Sequence, residues 1–379
     1  MSKIAKAPIN LKILEWCIQD FNISIEDVAK KVGTSKEKIQ SWLVGNDSPT
    51  YNQAENLAYK VFKKPLAIFF MPEVPVVMSV KKKFRSLPDY LYDSTSYKTR
   101  LAINKADFFR TVLFEIFKKN PSAEPIFKTL KVNDLSNPNE VATGIRNNIG
   151  ISLEIQKKFT DRYKAFNYYR FKLEENGIFT FQLKLEGDRA FCLLDDEFPI
   201  IILNSGDSIN SKIFSLFHEL VHILIGKEDI FKEVESPIYF NDPVEIFCNA
   251  VASEVLIPIN EFINIYVNNI PVWNEEIIQK VANDYSVSKE VILRKLLDLG
   301  IKNSNTYEDY KKKWDEAYKQ KKTSGGNFYL NKVSALGKGY TNKVIDNYRS
   351  GIINDIQVSS FLDIKYSQLP GIESKVYAL

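Results

Sequence analysis

The chain has 379 residues, 45% hydrophobic and 13% aromatic, enough for two or three domains with packed cores. It has no run of eighteen apolar residues, and its N-terminus (Met1-Ser2-Lys3-Ile4-Ala5-Lys6) lacks an apolar signal region, so neither a membrane span nor export is expected and the cytoplasm is the predicted location. Three well-separated cysteines, Cys17, Cys192 and Cys248, argue for a reducing compartment and against a cysteine zinc site. The net charge is +4, yet residues 1–90 hold 14 Lys+Arg against 9 Asp+Glu, so the positive excess lies in the first quarter and hints at an anionic partner there.

The first quarter reads as five short helices. Leu11 to Phe21 places Leu11, Leu14 and Ile18 at helical spacing. Ser24, with Asp27 three residues on, is an N-cap signature before Val28, Ala29 and Val32. Gly33 closes that helix, Thr34-Ser35 opens the next over Lys36 to Val44, and Gly45 ends it. Pro49 introduces a helix over Tyr51 to Phe62, and Pro65 one over Leu66 to Met71. Two short helices around a tight glycine turn suggest a helix-turn-helix. Ile25, Val28, Ala29, Val32, Gly33, Ser35, Ile39, Trp42, Gly45, Pro49, Ala58 and Phe69-Phe70 carry a resemblance, over about residues 10–72, to the DNA-binding domain of the Xre (phage repressor-like) family. The resemblance implies that Ser35, Lys36, Glu37, Gln40 and Ser41 face the major groove of double-stranded DNA. A bundle used for protein contacts or for forming a homodimer is the other reading.

Met71 to Met78 contains two prolines and no helical period, the mark of an extended linker, and the cluster Lys81-Lys82-Lys83-Phe84-Arg85 follows it. Helices are expected over Leu101 to Lys119, from Pro138 through Ile149, and from Tyr163 to Asn176, the last closed by Gly177. These read as core.

After Gly177 the period turns strand-like. Ile178 to Leu183, Ala190 to Leu194 and Phe198 to Asn204, with turns at Glu186-Gly187-Asp188 and Asp195-Asp196-Glu197, predict a small three-stranded antiparallel sheet. Next comes Phe217-His218-Glu219-Leu220-Val221-His222, inside the apolar run Ile213 to Ile225. His218 and His222 are the only two histidines in the chain. Four residues apart on a helix, they lie on one face and suit a clamp on one Zn²⁺, with Glu219 placed to act as base on a water held there. A third protein ligand is needed, and with no third histidine it must be a carboxylate. Glu245 opens an apolar helical stretch in which Glu245, Asn249 and Ala252 share a face. Glu254, nine residues on, points to the opposite side. Glu245 is therefore the expected third ligand, with Asn249 supporting the ligands or facing the substrate. Glu233, Glu235 and Asp242, in the preceding loop, are the alternatives.

The series Asn204, Phe214 to His222, and Glu245-Ile246-Phe247-Cys248-Asn249-Ala250-Val251-Ala252-Ser253-Glu254 through Pro258 resembles the ImmA/IrrE family of zinc metallopeptidases, over about residues 84–300. Phe84-Arg85 recurs in that family, whose members often carry an Xre domain in front. The resemblance implies a zincin-like fold, one Zn²⁺ on His218, His222 and Glu245, Glu219 as general base, and a protein substrate of the repressor or antitoxin type. The expected outcome is a zinc endopeptidase in a bacterial stress, mobile-element or phage-defence circuit. The alternative is a DNA-binding regulator or antitoxin-like protein whose zincin fold does not cut.

Glu275 to Gly300, with Ser288 as an N-cap, also looks like a helix-turn-helix, in which Arg294 and Lys295 would meet phosphate; the other reading is a helical layer packed beside the catalytic helices. Tyr307 to Lys322 is charged, with Tyr310 and Trp314 on one face, and Ser324-Gly325-Gly326-Asn327 is a turn. Two helices are expected from Leu336 to Leu362, parted near Gly351, and a further helix pair over Ser359 to Leu369. The fold class is mainly α (α+β). Its expected parts are 1–72, a five-helix bundle; 73–88, a linker; 89–270, the peptidase domain with its sheet; 271–322, a helical layer; and 323–379, a helical C-terminal region.

Overall fold

The computed structural model describes residues 5–75, 95–118, 124–132, 134–135, 137–159, 161–226, 230–232, 242–302, 310 and 326–376. Lys81 to Arg85, Glu233, Glu235, Trp314, Ser324 and Gly325 lie outside them. The chain divides into two compact units, Met1–Phe108 with Lys184–Asp188, and Phe109–Leu183 with Arg189–Leu379.

In the first unit, α1 (Leu11–Asp20), α2 (Ile25–Val32) and α3 (Lys36–Leu43) begin where polar caps stand. The side chains of Ser24 and Ser35 accept from the backbone N–H of Asp27 and Lys38. Gly33 ends α2 at φ +81°, a left-handed position that costs glycine nothing. α4 (Tyr51–Glu55) starts in a Thr50–Gln53 capping box, then widens into a π-helical stretch, Asn56–Phe62. The fifth expected helix is a 3-10 turn, Leu66–Phe70. Leu14, Phe21, Val28, Ile39, Trp42, Val61, Phe62 and Phe69 form the apolar centre. The first turns of α5 (Tyr97–Phe117) belong to this unit up to Phe108. There Tyr97 donates to the Val61 carbonyl and Arg100 Nη1 to the Asp20 carbonyl at 2.8 Å, closing the C-terminal end of α1.

The second unit runs through α6 (Ile126–Thr129), α7 (Pro138–Ile149), α8 (Leu153–Lys157) and α9 (Arg162–Glu175) to the sheet. Its strands are β1 (Phe179–Leu183), β2 (Asp188–Leu193), β3 (Ile200–Asn204) and, after α10 (Ile209–Ile225), β4 (Ile230–Lys232), in the order β1-β3-β2-β4. The α+β class is as expected, but the sheet is mixed rather than antiparallel. β2 and β3 are antiparallel, Ala190 opposite Leu203, whereas β1 and β3 are parallel, Phe179 opposite Ile200. The two turns explain this. Asp195 Oδ1 accepts from the backbone N–H of Glu197 and Phe198 (2.8 and 3.0 Å), closing a β2–β3 hairpin. The turn at Glu186-Gly187-Asp188 closes none, because Lys98 and Thr99 of α5 hold Glu186 at 2.7 Å and Asp188 at 2.5 Å. β3 therefore slots between β1 and β2. All five of its residues are buried, as a central strand covered on both faces requires.

α10 starts at the Ser208 cap and ends at Gly226, φ +77°. α11 (Pro243–Leu256) packs along it, and α7 packs along α11. α12 (Ile259–Ile265), α13 (Glu275–Asp284) and α14 (Lys289–Asp298) follow, α14 capped by Ser288 as expected. The C-terminal region is four helices, α15 (Phe328–Leu336), α16 (Lys338–Arg349), α17 (Asp355–Leu362) and α18 (Leu369–Val376). α15 was not anticipated, and the expected pair over Ser359 to Leu369 is instead the end of α17 and a 3-10 turn, Tyr366–Gln368, leading into α18. No single helix among the described residues is long and apolar enough to cross a membrane.

Candidate metal centre

α10 carries His218, Glu219 and His222, and α11 brings Glu245 from its first turn. The helices meet because both are apolar on the shared side: Phe217, Leu220, Val221, Cys248, Val251 and Ala252 are buried in one core. Asp242, one of the alternative ligands, is the N-cap of α11, accepting from Val244 N at 2.8 Å, and is not in the ligand group. Glu233 and Glu235 lie outside the described residues.

His218 Nε2 and His222 Nε2 are 3.1 Å apart. Glu245 Oε2 lies 3.3 Å from His218 Nε2, and its Oε1 3.0 Å from His222 Nε2. Three bonds of about 2.0–2.1 Å in a tetrahedron would put ligand atoms about 3.3 Å apart, so these separations fit an ion the size of Zn²⁺. Two imidazole nitrogens and one carboxylate are a donor set that suits such an ion. His218, Glu219, His222 and Glu245 are all buried, between 0% and 4% exposed, which bare charges would not tolerate without partners.

The electrostatics follow from burial and proximity. Burial pushes the His218 imidazole down, against opposing pulls from Glu245 and Asn249. Burial also works downward on His222, but Cys248, Glu245 and Glu219 outweigh it and raise the ring well above its ordinary range. Burial alone would raise the Glu245 carboxyl, yet the two imidazoles hold it below the usual carboxylate range. A cation held by the three groups would need both imidazoles neutral on the nitrogen that faces it, so binding it would release any proton held there.

Asn249, one turn beyond Glu245, places Oδ1 3.0 Å from His218 Nδ1. Cys248 sits against His222, and the Phe214 ring lies 6.4 Å from that of His218. Sequence reasoning missed the last two, although Cys248 is three residues from Glu245 and so on its helix face. Glu254 is away from the centre, as its spacing demanded. It forms a buried ion pair with Lys295 and accepts from Ile259 N at 2.9 Å. Lys295, named as a phosphate contact, is thereby taken: it is 5% exposed and committed to Glu254. Arg294 is on the exposed side of α14. In the first unit Ser35, Lys36, Glu37 and Gln40 are exposed, Ser41 is half-buried, and Lys36 pairs with Glu26.

The helices, the small sheet and the buried His/His/Glu group are compatible with a metallopeptidase domain. Residues 173–297 match the family model Peptidase_M78, the IrrE N-terminal-like domain, a match that supports the ImmA/IrrE resemblance for this part of the chain. Comparison with curated proteins found no match.

Proposed function

We propose that the chain is a zinc-dependent endopeptidase in which His218, His222 and Glu245 hold one Zn²⁺ and Glu219 moves the proton. The observation that carries the proposal is the convergence of three buried donors, all within 4.8 Å of one another, beside a buried Glu219. Zinc in such a site supplies Lewis acidity, polarising a peptide carbonyl and making water acidic enough to react near neutral pH. Glu219 takes the proton that the attacking water gives up as its oxygen bonds to the carbonyl carbon. It delivers that proton to the nitrogen when the C–N bond breaks, leaving a carboxylic acid and an amine. The substrate is one regulatory protein of the repressor or antitoxin type, in a bacterial stress, mobile-element or phage-defence circuit. In the test, repressor- or antitoxin-type proteins encoded by neighbouring genes are tried as substrates, and Glu219→Gln retains one zinc per chain and loses cleavage of whichever of them the wild type cuts. A Glu219→Gln protein that still cuts it overturns the proposal.

A recognition role for residues 10–72 goes with this reading. The exposed start of α3, with Lys36, Glu37 and Gln40, suits contact with double-stranded DNA. Binding that weakens steeply with salt, and weakens further in Lys36→Ala, is expected of it. If the zincin fold did not cut, DNA binding would be the whole activity and Glu219→Gln would be harmless.

A further inference from the structure

We infer that Asn249 is a positioning residue that fixes which nitrogen of His218 faces the metal, an inference that rests on the metal centre proposed above. An imidazole has two nitrogens, and only one carries the hydrogen in the neutral ring. For Nε2 to offer its lone pair toward Glu245 and His222, the hydrogen must be on Nδ1. A buried Nδ1–H needs an acceptor, since a donor taken out of water and left unmet loses its hydrogen bond with nothing in return. Asn249 Oδ1, 3.0 Å from Nδ1, is that acceptor. The same contact orients the amide: with Oδ1 turned to the ring, the amide nitrogen faces away from it. His218 is fully buried while Asn249 is exposed, so the hydrogen bond links the interior ligand to the accessible side of α11.

The two histidines are treated differently. Among the described residues, His222 Nδ1 is buried and makes no hydrogen bond to oxygen or nitrogen, and the group against that ring is the Cys248 thiol, a weak acceptor. One turn of α11 thus supplies a ligand, Glu245, and the amide that orients another ligand four residues later. The amide is also neutral. Zn²⁺, Glu245 and an ionised Glu219 would already sum to zero, so a carboxylate at 249 would add a negative charge beside the metal, whereas Asn249 orients the ring and leaves the charge unchanged.

Substitution separates orientation from charge and from mere packing. Zn²⁺ itself is the probe, its Kd measured by chelator competition on the full chain. Asn249→Ala is expected to bind zinc about 10–100-fold more weakly. Asn249→Asp, which keeps an acceptor in place, is expected to return to the wild-type Kd or below it. Ile246→Ala, an exposed neighbour on the same helix, should not move it. With Co²⁺ in place of Zn²⁺, the visible spectrum of Asn249→Ala should differ from wild type and that of Asn249→Asp should resemble it. An Asn249→Ala protein with the wild-type Kd overturns this inference alone. So does an Asn249→Asp protein as weak as Asn249→Ala, which would reduce the residue to packing. A wild-type chain that binds no zinc overturns both this inference and the metal centre, so the two failures are distinguishable.

Discussion

Arg170 and Glu174, one turn apart on α9, grip the ends of two successive helices from one buried position. The guanidinium donates to the carbonyls of Ser334 and Ala335 in the last turn of α15, and to that of Thr180 in β1. The Glu174 carboxylate accepts from Gly339 N, in the first turn of α16, at 3.1 Å. A cation therefore meets the negative end of one helix and a carboxylate the positive end of the next. Arg170 Nε and Glu174 Oε1 are 3.8 Å apart, and both side chains are almost wholly buried. Gly337 and Gly339 leave the room that Glu174 fills; a Cβ at either would strike its carboxylate oxygens.

Removing the arginine should cost the most. Arg170→Met takes the guanidinium from three carbonyls, of which, among the described residues, only that of Ser334 keeps another side-chain donor, Gln182 Nε2 at 2.7 Å, and leaves Glu174 without its cation. A loss of about 3–5 kcal/mol is expected, measured as the shift in unfolding midpoint by chemical denaturation. A shift below about 1 kcal/mol would show that the C-terminal helices are not anchored through this residue.

Glu174 should make stability depend on pH. Burial raises its carboxyl from 4.5 to about 7, against the opposing pull of Arg170 and the Gly339 N–H. The folded chain then holds the proton more tightly than the unfolded chain. This contribution is complete below about pH 4.5 and is lost as the pH rises through about 7. Glu174→Gln mimics the protonated form and lacks the dependence. The unfolding free energy of wild type minus that of Glu174→Gln should therefore fall between pH 5 and 8, by on the order of 2–3 kcal/mol. A difference that is flat over that range would place the carboxyl's pKa at its ordinary value.

How much of this was legible depends on what each residue needs from its surroundings. Ser24, Gly33, Ser35, Pro138 and Ser288 act on backbone within four residues, so the sequence around them marked the helix ends that are seen. His218 and His222 share a face by helical geometry alone, and the scarcity of histidine pointed onward to Glu245, which lies beside them. The sheet order was hidden because β1, β2 and β3 are nearly all buried and show no alternation from which to read a face. What decided it was a side-chain hold from α5 on Glu186 and Asp188, about ninety residues away in sequence. Arg170 and Glu174 have the spacing of an ordinary solvated helix pair, and nothing local shows that α15 and α16 bury them. Lys295 looked like a surface cation for the same reason.

The two glutamates of α11 should separate metal binding from stability. Glu245 lies against both histidines, whereas Glu254 is paired with Lys295. Glu245→Gln is expected to lose zinc, with the metal content of the purified protein falling well below one per chain. Glu254→Gln should keep full zinc content and lose about 3 kcal/mol of stability, because Lys295 remains buried without its counter-charge. If Glu254→Gln lost the metal and Glu245→Gln kept it, the ligand assignment would be reversed.

Metal binding should also appear in melting. A ligand that binds only the folded chain stabilises it by RT ln(1 + [L]/Kd), about 2.7 kcal/mol at one hundred times Kd. For a domain of roughly 250 residues, 1 kcal/mol moves the melting temperature by about 2–4 °C, so saturating zinc should raise it by about 5–10 °C. The rise should grow with the logarithm of free zinc and vanish on adding a chelator. His222→Ala removes one of the three donors and with it one edge of the 3.0–3.3 Å triangle. The zinc-induced rise should then shrink to near zero, while the melting temperature without zinc changes by less than that amount. An equal rise in His222→Ala and wild type would mean that zinc stabilises the chain from somewhere other than His218, His222 and Glu245.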